Sequence, residues 1–160
     1  VSAGGEGVSA GSPIALLSRR WHLCASHRLH TERYDAERNH EVFGKCNNPH
    51  GHGHNYVIEA TFSGPVSAET GMVTNLADLD RFAARELLAR FDHQNLNTLP
   101  CFAETVSTTE NFAVEVHRIF SAYPHARLER VGIEETSNNS FAYAGESAVA
   151  GAPRFEDRGR

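Results

Sequence analysis

Two histidines flank a single glycine in His52-Gly53-His54, directly ahead of an alternating apolar run through Tyr56, Ile58, Ala60 and Phe62. In an extended strand, residues two apart share a face, so both imidazoles are delivered to one side with little bulk between them. Another alternation, Ala15, Leu17, Arg19, Trp21, Leu23, Ala25, His27, ends its largely apolar face on a third histidine. If these strands pair, three imidazoles converge at one sheet end. Three neutral imidazoles with an open fourth position are the donor set of catalytic zinc, where water or a substrate oxygen completes the tetrahedron. The alternative for each is a histidine that hydrogen-bonds in the core or faces solvent. His50 extends the series to His50-Gly51-His52-Gly53-His54, and the glycines leave that backbone free enough for one segment to hold a metal alone. His27 is the favoured third ligand.

Other reactive side chains cluster near these. Cys46 lies in Lys45-Cys46-Asn47-Asn48-Pro49, a turn-forming stretch six residues before His52. A loop thiol near a metal and a lysine ionises more readily than a free one, which suits a base or nucleophile; a surface or buried structural cysteine is the competing reading. Asp92-His93 has the composition of a proton-moving imidazole with its tautomer fixed by a carboxylate, although adjacent residues do not naturally face each other and Asp92 can instead bind backbone at a helix end. Glu135 shares the buried face of its strand with Val131 and Ile133, whereas Glu134 takes the other face. A buried carboxylate needs a partner, either an arginine or a ligand edge with adjacent N–H donors, such as an amino-pyrimidinone.

The elements that position these groups follow from periodicity. Asn75 caps a helix carrying Leu76, Leu79, Ala83 and Leu87 and running to about Phe91, and Ser107 with Glu110 has capping-box spacing ahead of Phe112, Val116 and Ile119. A short helix is expected over 35–43, inside the long connection 28–51. Arg127 to Thr136 alternates as a third strand, and Ser140 to Ala144 follows a turn as the fourth. The order β-β-α-α-β-β predicts an α+β domain, a four-stranded antiparallel sheet with two helices on one face. Residues 1–12 read as a flexible arm, 13–146 as one catalytic domain and 147–160 as a tail.

With 160 residues, 40% hydrophobic and 22% charged, the chain has the composition of one globular unit. Its net charge of −5 argues against a nucleic-acid surface. No apolar run approaches a membrane span, and the N-terminal stretch lacks the basic and apolar parts of a secretory signal, so a cytoplasmic location is expected. Three cysteines are too few for a disulfide framework, while ten histidines exceed what packing calls for.

Taken together, Ala25-Ser26-His27-Arg28-Leu29, Phe43-Gly44-Lys45-Cys46-Asn47-Asn48-Pro49, His52-Gly53-His54-Asn55-Tyr56, Leu76-Ala77-Asp78-Leu79, Asp92-His93-Gln94-Asn95-Leu96, Ser107-Thr108-Thr109-Glu110-Asn111 and Glu135-Thr136-Ser137-Asn138-Asn139 closely resemble the 6-pyruvoyl tetrahydropterin synthases, in the same order from Arg20 to Glu146. The resemblance implies the tunnelling fold, with sheets joined into a trimeric barrel and two trimers stacked as a homo-hexamer. It also implies a zinc-dependent lyase of tetrahydrobiopterin biosynthesis, which converts 7,8-dihydroneopterin triphosphate to 6-pyruvoyl-tetrahydropterin and triphosphate. On that basis His27, His52 and His54 hold Zn2+, Cys46 is the proton-abstracting thiolate, and Asp92 and His93 are its relay partners. Glu135 anchors the pterin beside Thr109, and Lys45 and Arg28 are candidates for the triphosphate.

Two departures stand out. His50 replaces a usual asparagine, and Trp21-His22-Leu23-Cys24 replaces a more usual aromatic and serine pattern. The nearest alternatives are a 6-carboxytetrahydropterin synthase of the queuosine route and a non-catalytic zinc-binding scaffold of the same fold. The carboxy enzymes usually carry their cysteine closer to the His-Gly-His pair, and five residues intervene between Cys46 and His52 here.

Overall fold

The computed structural model describes residues 11–146. Apart from Gly11 and Ser12, the expected arm and tail lie outside them. Two long strands dominate: β1 (Ile14–His27) and β2 (His52–Pro65) pair antiparallel from Ile14↔Pro65 to His27↔His52 without a register shift. β2 also pairs with β4 (Arg127–Thr136), which pairs with β5 (Asn139–Tyr143). These are the four expected antiparallel strands. A two-residue strand, β3 (Gln94–Asn95), adds to the free side of β1 in parallel, so the sheet has five strands in the order β3-β1-β2-β4-β5. The count of four is corrected by a segment too short to show a periodicity of its own.

The helices cover one face. A continuous helical run over 76–91 comprises α2 (Leu76–Ala83), a wider π turn at Ala84–Leu88 and α3 (Ala89–Phe91). Asn75 caps it, its Oδ1 accepting from the Ala77 N–H at 2.9 Å. Leu79, Ala83 and Leu87 are fully buried, while Leu76 at the helix start is exposed. The helix α4 (Thr109–Phe120) packs across β4 and β5 and buries Phe112, Val116, Ile119 and Phe120. Its cap is Thr108, whose Oγ1 accepts from the Asn111 N–H at 3.3 Å. The helix therefore begins one residue later than the Ser107–Glu110 spacing suggests, because Ser107 is buried and its carbonyl is engaged by His27.

Strand alternation feeds the same core. Trp21, Leu23 and Ala25 of β1 and Tyr56, Ile58, Ala60 and Phe62 of β2 face the helices, and Trp21 stacks on Phe120 at 5.0 Å. Phe112 contacts Tyr56, Phe91 and Phe102 through ring pairs at 5.6, 5.1 and 6.3 Å. Burying a side chain of this size contributes on the order of 2–3 kcal/mol, and this cluster lies directly beneath the end of the sheet that carries the histidines. A short helix outside this layer, α1 (Ala36–Phe43), lies within the connection and is capped by Asp35, whose Oδ1 accepts from the Arg38 N–H. No helix among the described residues is long and apolar enough to cross a membrane.

Candidate active site

His27 and His52 end their strands directly opposite each other, and His54 lies two residues along the same face of β2. One ring nitrogen from each falls within 4.8 Å of the others. The Nε2 atoms of His27 and His52 are 3.1 Å apart, close to the ~3.3 Å spacing of two imidazole nitrogens bound ~2.0–2.1 Å from one tetrahedral centre. His27 is 2% exposed, and its Nδ1 donates to the Ser107 carbonyl at 2.7 Å. That bond assigns the proton to Nδ1 and leaves the Nε2 lone pair facing the cluster, the tautomer a metal requires. Burial lowers the pKa of His27 and of His52, with the neighbouring imidazoles adding to the effect, so both favour the neutral ligand form. His54 Nε2 is buried without a hydrogen-bond partner among the described residues. Convergent ring nitrogens, one of them orphaned, fit a divalent cation, and these three residues can hold one. His50 is exposed and does not join them.

Gly51 makes the approach possible. Its φ is +70°, and a Cβ there would stand 2.9 Å from the His27 carbonyl oxygen.

Glu135 reaches the cluster from β4. Its Oε1 lies 3.7 Å from His54 Nε2 and 3.9 Å from His27 Nε2. Among the described residues no arginine pairs with it; instead the Thr109 hydroxyl, from the first turn of α4, donates to the same oxygen. Its side chain is 14% exposed, which leaves an edge of the carboxylate open to a ligand. Tyr56 lies below, fully buried, with its ring 5.4 Å from that of His54. Burial, reinforced by the Glu135 charge, raises its pKa strongly.

Cys46 is half-buried in the turn Gly44–Asn47. Its carbonyl accepts from the Leu29 N–H at 2.8 Å, Asn47 Nδ2 donates to the Leu29 carbonyl at 2.7 Å, and Arg28 Nε donates to the Asn47 carbonyl at 3.0 Å. The thiol's loop is thus tied to the residues just after His27, and Lys45 is exposed on the same turn. Asp92 and His93 adjoin the other edge of β1. Asp92 Oδ1 accepts from the Cys24 N–H at 2.8 Å and lies 3.0 Å from His93 Nδ1. Adjacent residues face each other here because His93 has φ +58°, a left-handed conformation uncommon outside glycine. The Cys24 N–H, then the adjacent imidazole, hold the Asp92 carboxyl below its usual range. The structure thus gathers the three histidines, Glu135 and Thr109 into one contact group; Cys46 with Arg28, and Asp92 with His93, flank it as separate hydrogen-bonded units.

Three participants are not singled out by the sequence reading. Ser107 acts through its carbonyl, which no side-chain type announces. Asn97 brackets Arg28, accepting from its N–H at 2.7 Å and donating to its carbonyl at 2.8 Å. The Tyr56 hydroxyl is concealed because its alternation marks only a core residue. A cavity of about 530 Å3, bordered by His30, Arg33, Asn97, Glu104 and Val106, opens beside this joint and is not lined by the clustered histidines. A smaller one lies on the opposite sheet face, among Arg20, Glu59, Arg130 and Glu134.

The family model of 6-pyruvoyl tetrahydropterin synthase matches residues 16–146, a span that contains every group just described. The chain belongs to the 6-pyruvoyl tetrahydropterin synthase family. The human 6-pyruvoyl tetrahydrobiopterin synthase is 45% identical over 134 residues, covering 82% of this chain and 92% of that protein. The synthase of Poecilia reticulata is 43% identical over 144 residues, 86% of this chain and 98% of its own length. A solved 6-pyruvoyl tetrahydropterin synthase from Caenorhabditis elegans superposes with a TM-score of 0.80 at 40% identity, over 84% of this chain and 97% of that one. The 6-pyruvoyl tetrahydropterin synthase fold therefore extends through both flanking units, the Cys46 turn and the Asp92-His93 edge, as well as the histidine cluster.

Proposed function

We propose that this chain is a zinc-dependent lyase that converts 7,8-dihydroneopterin triphosphate to 6-pyruvoyl-tetrahydropterin and triphosphate. The observation that carries the reading is a carboxylate with a free edge, Glu135, placed 3.7 Å from an orphaned imidazole nitrogen in a three-histidine cluster. One ligand can meet both, with its heterocycle on the carboxylate and its side chain at the histidines.

His27, His52 and His54 would hold the zinc, which supplies Lewis acidity toward the C–H and O–H groups of the substrate side chain. Glu135 accepts from the adjacent N–H donors of the amino-pyrimidinone edge, a charge-assisted bidentate contact, and Thr109 keeps the carboxylate turned toward it. Cys46 removes a proton as the thiolate. His93, oriented by Asp92, gives or takes a proton at its imidazole as the double bond shifts and triphosphate departs. Lys45 and Arg28 supply positive charge for the triphosphate. The backbone edge of β1 before Ala25 has no partner strand among the described residues, and β5 is the opposite edge of the sheet; both suit the joining of sheets into a trimeric barrel and then a hexamer. A cytoplasmic enzyme with no nucleic-acid or membrane partner completes the reading.

The test is to incubate zinc-loaded protein with dihydroneopterin triphosphate and identify the product by mass. Stoichiometric 6-pyruvoyl-tetrahydropterin and triphosphate are expected. A 6-carboxylated pterin, or unconsumed substrate, would overturn the assignment.

A further inference from the structure

Tyr56 is fully buried, yet its hydroxyl has no hydrogen-bond partner among the described residues. A buried hydroxyl left unpaired is destabilising, and such groups in a native fold call for an explanation. A phenylalanine would fill the same space against Phe112, whose ring lies 5.6 Å away, without that penalty. The position of the hydroxyl supplies the explanation. The ladder pairs Val57 with Glu134 and Ile58 with Ile133, so Tyr56 stands opposite Glu135 on the helix-facing side. Glu135 and Thr109 are the polar side chains that act on the phenol. The Thr109 hydroxyl spends its proton on Glu135, which leaves its oxygen free to accept.

We propose that Tyr56 is a positioning residue for the ligand-anchoring carboxylate: its O–H closes onto Thr109 Oγ1 when a pterin occupies Glu135, completing a chain Tyr56–Thr109–Glu135. This rests on the reading of Glu135 as the pterin anchor. Hydrogen bonds arranged in series polarise one another, so a donor at the base of the chain strengthens the hold of Thr109 on the carboxylate without touching the ligand. The Thr109 side chain already acts on the phenol, while the hydroxyl has no fully formed hydrogen bond among the described residues, so the bond completed on closure contributes in the complex.

The decisive variant is Tyr56→Phe, examined as zinc-loaded enzyme beside Glu135→Gln and the double variant. Three readouts are taken: melting temperature, zinc content, and KM and kcat with dihydroneopterin triphosphate, alongside the affinity for neopterin as a non-reacting probe. Tyr56→Phe is expected to melt at or above the temperature of the parent and to keep its zinc. Its KM and neopterin Kd should rise about tenfold, ~1.4 kcal/mol, with kcat within about twofold. In the Glu135→Gln background the same change should add nothing, since its effect passes through that carboxylate. A purely structural tyrosine would lower the melting temperature and leave KM unmoved. That result, or an additive effect in the double variant, overturns the proposal. If Glu135→Gln itself binds neopterin as tightly as the parent, the anchor reading fails instead, and the two failures are distinguished by which single variant is silent.

Discussion

Replacing Gly51 by alanine perturbs one contact on which the histidine cluster depends, and a second glycine provides its control. Gly51 and Gly71 share a φ of +70°, but a Cβ at Gly51 would meet the His27 carbonyl oxygen at 2.9 Å, whereas at Gly71 nothing lies within 4 Å. Both substitutions carry the left-handed backbone penalty, ~1–2 kcal/mol, and both recover ~0.4–1 kcal/mol from a stiffer unfolded chain. Only Gly51→Ala adds overlap with backbone, on the order of 1–3 kcal/mol by analogy with overpacked cores. The two variants should therefore separate by about that amount, roughly 2–12 °C in melting temperature for a chain of this size. Relief of the overlap must move either the 51 backbone or the carbonyl of His27, and both shift the His27 ring against that of His52. Metal sites tolerate only ~0.2 Å of ligand displacement, so zinc affinity should fall about tenfold or more for Gly51→Ala and hold for Gly71→Ala. Thermal melts at one protein concentration, with and without metal, and chelator competition read the two effects separately. Equal melting temperatures together with equal zinc affinities would refute the steric account of how the cluster is held.

Two further outcomes follow from the site. Cys46→Ala should keep zinc and assembly while losing most of the turnover, measured as product formation against metal content; undiminished turnover would remove the thiol from the mechanism. Metal-free protein should lose stability as pH falls below about 6.5. Burial lowers the folded pKa of His27 and His52, so the unfolded chain binds more protons in this window, and the stability present above it declines toward the lower folded values. His117, also lowered by burial, adds to the same slope. Urea unfolding at several pH values should show a shallower slope for His27→Gln than for the parent, and identical slopes would count against the buried neutral imidazole.

How far the site could be read from sequence depended on whether a side-chain pattern reports the geometry. His27, His52, His54 and Glu135 lie on strands whose apolar alternation names the buried face, and each takes the face its spacing assigns. The helix over 76–91 begins at its asparagine cap and ends at Phe91 as the periodicity indicates. The misplaced cap of α4 has a tertiary cause: Ser107 and Thr108 both have capping side chains, and the hydrogen bond from His27 decides between them. The left-handed backbone of His93 carries no local marker either, since that conformation is normally announced by glycine. Its consequence, an aspartate and histidine facing each other across one peptide, runs against the usual divergence of neighbouring side chains.

Register joins the fold to the chemistry. The β1–β2 ladder runs unbroken through fourteen Cα pairs, the last of which sets His27 against His52. A slip of one residue would turn the apolar set of β1 away from the helices and carry His27 with it, because side-chain direction alternates along a strand. Trp21, Leu23 and Ala25 therefore position His27 as firmly as any neighbour of its ring: the burial that pins their face also pins that of His27. Glu135 is set by the same logic through Val131 and Ile133 on β4. The thiol and the Asp92-His93 pair escape this constraint, since both sit on turns, one hydrogen-bonded to the residues just after β1 and the other to Cys24 at its edge. The scaffold thus fixes the three histidines and Glu135 through its core, and carries Cys46, Asp92 and His93 on turns outside the strand register.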